Sequence, residues 1–159
     1  MNTARHLRRV LPLGLALALL LCACGGGGEK APFDPAATAD ALLESGAFSE
    51  TLEAIDQDVA CILYGIDEST VTGGAVYGST GATAEEIAVF TLSDAAGAAA
   101  AKTALENRVT DQKAALESYL PAEIVKLDAA LIEQRGNSVL MVVASDIEAA
   151  ERALTLMEG

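Results

Sequence analysis

Two stretches of the chain, residues 87–92 and 139–144, are apolar at nearly every position. A strand with one solvated face would alternate apolar and polar side chains, so both stretches are predicted to be strands covered on both faces. Each follows a second strand-like run across a short polar segment that contains glycine. The two predicted β-hairpins comprise residues 71–78 with 86–92 and residues 130–135 with 138–144.

Capping residues predict two helices before the hairpins. Asp34 stands before Pro35, and Gly46 follows eleven residues after that proline, so residues 35–45 are predicted to form the first helix. Asp56 is predicted to cap a short second helix that ends near Gly65. The residues between these helices are compatible with a loop or a short strand.

A helix is also predicted after each hairpin. Ser93 precedes a long helix over residues 94–119, and Ser145 with Glu148 forms a capping box before a last helix over 146–157. The core-facing stripe of the long helix is predicted to comprise Leu105, Val109, Gln112, Leu116 and Leu120. Ion pairs on its outer side are predicted between Lys102 and Glu106 and between Arg108 and Asp111.

These elements predict an α+β fold in one domain over residues 34–159. The sheet should be four-stranded and antiparallel, built from the two hairpins, with helices packed on it in the order α, α, ββα, ββα. The long and last helices are expected to cover one face, and the two N-terminal helices or a partner protein the other. Both ββα units run from a strand into a Ser-Asp helix start, so an internal duplication is possible.

The N-terminal 23 residues have the layout of a secretory signal peptide. Arg5, Arg8 and Arg9 form a basic segment, and the largely apolar residues 10–21 follow. As a helix this run spans about 18 Å, which is short of the roughly 30 Å of a hydrocarbon core. Residues 1–23 are therefore predicted to be removed.

The segment Leu21-Cys22-Ala23-Cys24 resembles the lipobox of bacterial lipoproteins. The resemblance implies diacylglycerol on the Cys24 thiol and cleavage between Ala23 and Cys24. Two acyl chains would hold the protein stably on the outer, extracytoplasmic face of the cell membrane. Residues 24–33, which begin with four glycines after Cys24, are predicted to be a flexible tether. Ordinary cleavage near Ala23, which would release a soluble protein, is the alternative.

The charge balance narrows the range of partners. Three of the ten basic residues precede Cys24, which leaves seven against 23 acidic residues in the predicted mature chain. Such a field repels phosphate backbones, so we expect no nucleic-acid partner. The chain has no Trp and only three Tyr and three Phe, which offers little surface for stacking bases.

The predicted mature domain has no histidine, because His6 lies in the signal peptide. This excludes Ser-His-Asp and Cys-His catalysis and histidine metal sites from the domain. Cys61 is predicted to lie late in its helix among acidic side chains, which disfavour a thiolate, so it is interpreted as a buried structural cysteine. With Cys22 removed and Cys24 acylated, no intramolecular disulfide is expected.

Carboxylates are the remaining candidates for chemistry. Glu85 and Glu86 are neighbours in sequence, and side chains of adjacent strand residues point to opposite faces. We therefore interpret them, and Asp67, as solvated caps and turns rather than as a catalytic pair. The acidic residues at the start of the second helix lack the remaining ligands of a calcium loop, and the hairpin glycines lack the spacing of a phosphate loop. No metal or cofactor is predicted.

Four segments together resemble a known family. They are LYGIDE at 63–68, GATAEEIAVF at 81–90, DQKAALESYLP at 111–121 and GNSVLMVV at 136–143. They are similar to an uncharacterised domain-of-unknown-function family of small lipoproteins, common in Gram-positive anaerobes, over about residues 33–157. The resemblance implies a single-membrane cell surface. It assigns no activity and no functional residue.

The leading hypothesis is a membrane-anchored surface lipoprotein whose domain is a non-enzymatic module that binds an envelope protein or a small ligand. One alternative is a cell-envelope hydrolase or transferase that uses Glu85, Glu86 or Asp67. Another is a small-ligand receptor that delivers to a transporter, although a single module lacks the two lobes usual in such receptors.

Overall fold

In the computed structural model, which describes residues 30–159, the two predicted hairpins lie side by side in one antiparallel sheet. The strands are β1 (Glu53–Ile55), β2 (Val71–Gly78), β3 (Glu86–Leu92), β4 (Leu131–Arg135) and β5 (Ser138–Val143), in the spatial order β1-β2-β3-β5-β4. Both hairpins and the α+β class are confirmed. The strand number of four is wrong, because β1 adds a fifth strand to the free edge of β2. Three residues are too few for an alternating pattern to reveal a strand.

Five α-helices accompany the sheet in the described part of the chain: α1 (Pro35–Glu44), α2 (Gln57–Tyr64), α3 (Ala95–Leu116), α4 (Ile124–Asp128) and α5 (Ile147–Leu156). Single 3₁₀ turns lie at Glu68–Thr70 and Pro121–Glu123. The long helix ends at Leu116 rather than residue 119, and the short α4 was not predicted. Within residues 30–159, no helix combines the length and apolarity needed to cross a membrane.

The aspartates after the two predicted serine caps are the residues that cap α3 and α5. Asp94 and Asp146 each accept a hydrogen bond from the backbone N–H three residues further on, at 2.7 and 2.9 Å. Ser93 and Ser145 stand one residue too early for this role. The Ser145 hydroxyl donates instead to Glu85.

The predicted assignment of helices to sheet faces is wrong. One core packs the even-numbered residues of β3 and odd-numbered residues of β5, such as Phe90 and Met141, beneath α2, α3 and α4. The other packs their alternate residues, such as Val89 and Leu140, beneath α1 and α5. The chain's own helices thus cover both faces of β3 and β5. A two-fold axis relating the two hairpins would put α3 and α5 on the same face, so this packing gives no support to a duplication.

The two ends of the central strands differ in what lies beside them. At the tether end, where β5 begins, the Phe33 N–H donates to Ser138 Oγ at 2.8 Å, and the chain enters α1 from here. At the carboxylate end, where β3 begins, Glu85 and Glu86 are buried. The β5 strand from Ser138 to Val143 separates the two ends by about 17 Å.

Candidate functional site

The carboxylates singled out from the sequence have different environments. Glu85 and Glu86 are only 1% and 3% exposed, so their interpretation as solvated residues is wrong. Asp67 is exposed and caps the first 3₁₀ turn, where it accepts bonds from the N–H and hydroxyl of Ser69. Ala23 and Cys24, the predicted cleavage and lipidation residues, lie outside the described residues.

Glu85 is enclosed by donors from three other parts of the chain. The Ser49 N–H and hydroxyl, after α1, donate to it at 3.0 and 2.9 Å. The Ser145 hydroxyl, after β5, donates to Oε1, and so does Lys126 Nζ of α4, at 3.2 Å. We call Glu85 with Ser49, Glu123, Lys126 and Ser145 the Glu85 cluster.

Lys126 bridges two acids in this cluster. Its ammonium lies 3.2 Å from Glu85 Oε1 and 3.0 Å from Oε2 of Glu123, which also accepts a hydrogen bond from the Ala84 N–H at 2.9 Å. Burial favours the uncharged forms, but the hydrogen bonds outweigh it: the pKa of Glu85 lies below its ordinary value and the pKa of Lys126 above it. Glu85 and Lys126 are therefore both charged at neutral pH.

Glu86 points to the opposite face and has its own partners. The Tyr64 hydroxyl of α2 donates to Oε1, while Arg108 Nη2 and Gln112 Nε2 of α3 lie 3.1 and 3.0 Å from Oε2. Burial, followed by the negative charge of Glu86, raises the pKa of Tyr64. We call these four residues the Glu86 cluster. Arg108 therefore pairs with Glu86 rather than with the predicted Asp111, whereas the predicted Lys102–Glu106 pair is present at 3.8 Å.

The candidate carboxylates do not line a common reaction site; Glu85 and Glu86 instead connect separate elements of the fold. Glu85 and Glu86 face opposite sides of the sheet, and Asp67 lies in an exposed turn. A catalytic pair needs two carboxylates that converge on one substrate atom. These three side chains do not converge, and the donors to Glu85 and Glu86 come from other elements of the fold.

The Cys61 thiol and a metal site are the remaining candidates for chemistry. Cys61 is 2% exposed, and burial, followed by the charges of Glu68, Asp58 and Asp67, raises its pKa. The predicted burial of Cys61 is confirmed, and the raised pKa agrees with its interpretation as a structural cysteine. The described residues contain no group of three His, Cys, Asp or Glu side chains that could hold a metal ion.

The tether end carries a second group of charges around a cleft of about 430 Å³. The Arg135 guanidinium lies over the Phe33 ring, 4.0 Å from its centroid, and pairs with Glu133 at 2.8 Å and Glu158 at 2.6 Å. Lys30 adds a contact to Glu158 at 3.1 Å. Phe33 was placed in the tether by the sequence, but its ring is 5% exposed and belongs to the core.

Comparison with known proteins identifies the family over residues 44–144, where the chain matches the model of a domain of unknown function, DUF4358. The chain belongs to the DUF4358 family. No curated protein and no solved structure matches it. The DUF4358 match contains the whole Glu86 cluster, and all of the Glu85 cluster except Ser145, which lies one residue beyond it. Phe33 and Glu158, at the tether end, lie outside it.

Sequence reasoning missed most residues of both clusters. Ser49, Lys126 and Ser145 lie 36, 41 and 60 residues from Glu85 along the chain. No local pattern joins positions so far apart. The one available signal was the pair of acids at the start of an all-apolar strand, a location that requires buried counter-charges.

Proposed function

We propose that this protein is a lipid-anchored, non-enzymatic binding module on the extracytoplasmic face of the cell membrane. The basic and apolar leader and the lipobox-like segment before Cys24 support the anchor. Glu85 and Glu86 are buried and paired with Lys126 and Arg108, which favours a binding role over catalysis. The lipobox-like segment that ends at Cys24 carries the proposal. The hydrogen bond from the Phe33 N–H to Ser138 Oγ is consistent with it, because it fixes the chain to the domain nine residues after Cys24.

This junction predicts how the domain stands on the membrane. Cys24 and Lys30 are six residues apart, which an extended chain spans in about 21 Å at most. Lys30 contacts Glu133 and Glu158 at the tether end. The tether end is therefore expected to face the headgroups, with the carboxylate end directed away from them.

Metabolic labelling with a clickable fatty acid tests the anchor. The full chain and a Cys22→Ser variant should take up label and sediment with membranes, because both keep the Cys24 thiol that is predicted to be acylated. Cys24→Ser should lose the label and leave the membrane fraction. Cys22→Ser is the matched control, since it removes a thiol two residues away. Full labelling of Cys24→Ser would refute the proposal.

A further inference from the structure

The outer face of α2 is apolar, unlike that of a typical surface helix. Its inner residues Ala60, Cys61 and Tyr64 are buried in the core. Its outer residues Val59, Ile62 and Leu63 are 51%, 82% and 43% exposed. Spacings of three and four residues place these three side chains on one face of one helical turn. We call them the α2 ridge.

The surroundings of the α2 ridge are acidic. Between Lys30 and Lys102 the chain has twelve Asp and Glu residues and no Lys, Arg or His. Asp58 lies one turn before Ile62 on the exposed surface. The pKa of Cys61 in α2 is raised first by burial and then by the negative charges of Glu68, Asp58 and Asp67. Arg108 of α3, whose guanidinium lies 5.9 Å from the centroid of the Tyr64 ring of α2, is paired with Glu86.

We infer that the α2 ridge is the docking surface for an amphipathic helix of a basic membrane-associated protein. Such a helix would bury the ridge between its own side chains and place flanking Lys or Arg residues against the acids. The same acids would repel a second copy of this chain and an anionic bilayer surface. Charge complementarity thus selects one occupant for the ridge. The inference rests on the proposed binding function and names its partner.

The small size of the α2 ridge limits the affinity of a contact with a partner helix. Three side chains bury far less than the roughly 800 Å² per partner of a stable interface. The contact alone is therefore weak. Anchoring both proteins to one membrane raises their effective concentration, so a small ridge suffices there.

Photo-crosslinking in cells that produce the full chain tests this inference. A benzophenone amino acid replaces Ile62 in one variant and Leu156 of α5 in the other. Both positions are 82% exposed, so neither replacement disturbs the core. We expect at least about tenfold more protein adduct from position 62, with the crosslinked peptide mapped by mass spectrometry to a Lys- or Arg-rich amphipathic helix.

A charge reversal tests the acidic surroundings in the same experiment. Asp58→Lys should reduce the adduct from position 62 at least about threefold, whereas Glu148→Lys on α5 should leave it unchanged. Equal adduct from positions 62 and 156, or adducts to lipid, to a second copy or to an acidic segment, would overturn the inference. Only chains that carry the fatty-acid label are scored, so failure of the anchor is recognised separately.

Discussion

Glu85 and Glu86 are adjacent, equally buried and charged alike, yet they are held in different ways. Glu85 shares the Lys126 ammonium with Glu123, and its other donors are the hydroxyls of Ser49 and Ser145 and a backbone N–H. Glu86 is held by one tyrosine, one arginine and one glutamine from two helices. In the described structure, Arg108 Nε and Gln112 Oε1 beside Glu86 are buried without partners, whereas no buried polar side-chain atom of the Glu85 cluster lacks one.

The two clusters differ in how completely the partners of the buried carboxylate replace its hydration. A buried charge is tolerated when hydrogen bonds and a counter-charge replace its hydration, and an incomplete set of partners weakens that compensation. The Glu85 cluster is complete and connects the segment after α1, the end of β5 and α4. The Glu86 cluster connects α2 and α3 to the opposite face of the same strand. We therefore expect the Glu85 cluster to contribute more to stability.

The largest effect on stability is expected from removing the Lys126 ammonium, which Glu85 and Glu123 share. Lys126→Met keeps the aliphatic stem but leaves Glu85 and Glu123 without their common counter-charge. We expect a loss of about 3–5 kcal/mol in the free energy of unfolding, measured by urea denaturation. Lys113→Met is the matched control, because Lys113 pairs at 2.8 Å with a largely exposed Asp128 and should cost less than about 1 kcal/mol. Equal losses of stability in the two variants would show that the Lys126 ammonium contributes no more to stability than a surface ion pair does.

A smaller loss of stability is expected from a change in the Glu86 cluster, on the other face of the sheet. Tyr64→Phe removes only the hydroxyl that donates to Glu86 and leaves the ring, which packs edge-on against Phe90 with 6.0 Å between centroids. Losing one hydrogen bond to a buried charge should cost about 1.5–3 kcal/mol by the same denaturation measurement. Tyr119→Phe, at a 67% exposed position, supplies the control and should be close to neutral. A loss larger than that of Lys126→Met would reverse the order of the two clusters.

The smallest of these effects is a pH dependence carried by the Glu85 cluster. Because the folded pKa of Glu85 is lower than its ordinary 4.5, its contribution is present above pH 4.5 and is lost as pH falls through the folded pKa. Because the folded pKa of Lys126 is raised, its contribution is present below the ordinary 10.5 and is lost as pH rises through the folded pKa. Melting temperatures between pH 2 and 7 should show the acid loss. The loss should be smaller in Glu85→Gln, and an unchanged acid limb in that variant would contradict the assignment.

Local patterns in the sequence predicted the elements well and their contacts less well. Both hairpins were predicted because each has an uninterrupted apolar strand, and Gly136 has the positive φ of 54° that a tight turn requires. The caps of α3 and α5 were misplaced by one residue, since Ser and Asp are equally good caps in sequence. Ser145 instead bonds Glu85, which lies 60 residues away in the chain.

The surroundings of Glu85 and Glu86 could not be predicted from local sequence patterns. Adjacent carboxylates on one strand do point to opposite faces, as pleating requires. Whether they meet water or protein depends on which helix packs on each face. The sequence suggested that α3 and α5 share a face. In the structure Glu86 meets α2 and α3, whereas the donors to Glu85 come from α4 and from the segments after α1 and β5.

The sequence by itself determined the two hairpins, the four longer helices and the α+β class, because capping, turn chemistry and apolar periodicity act over a few residues. It also predicts the leader and the Cys24 anchor, which are short linear signals. Only the tertiary structure decided the fifth strand, the helix arrangement and the burial of Glu85 and Glu86. Their energies depend on groups 22 to 60 residues away, such as Arg108 and Ser145, and only the folded chain brings these groups together.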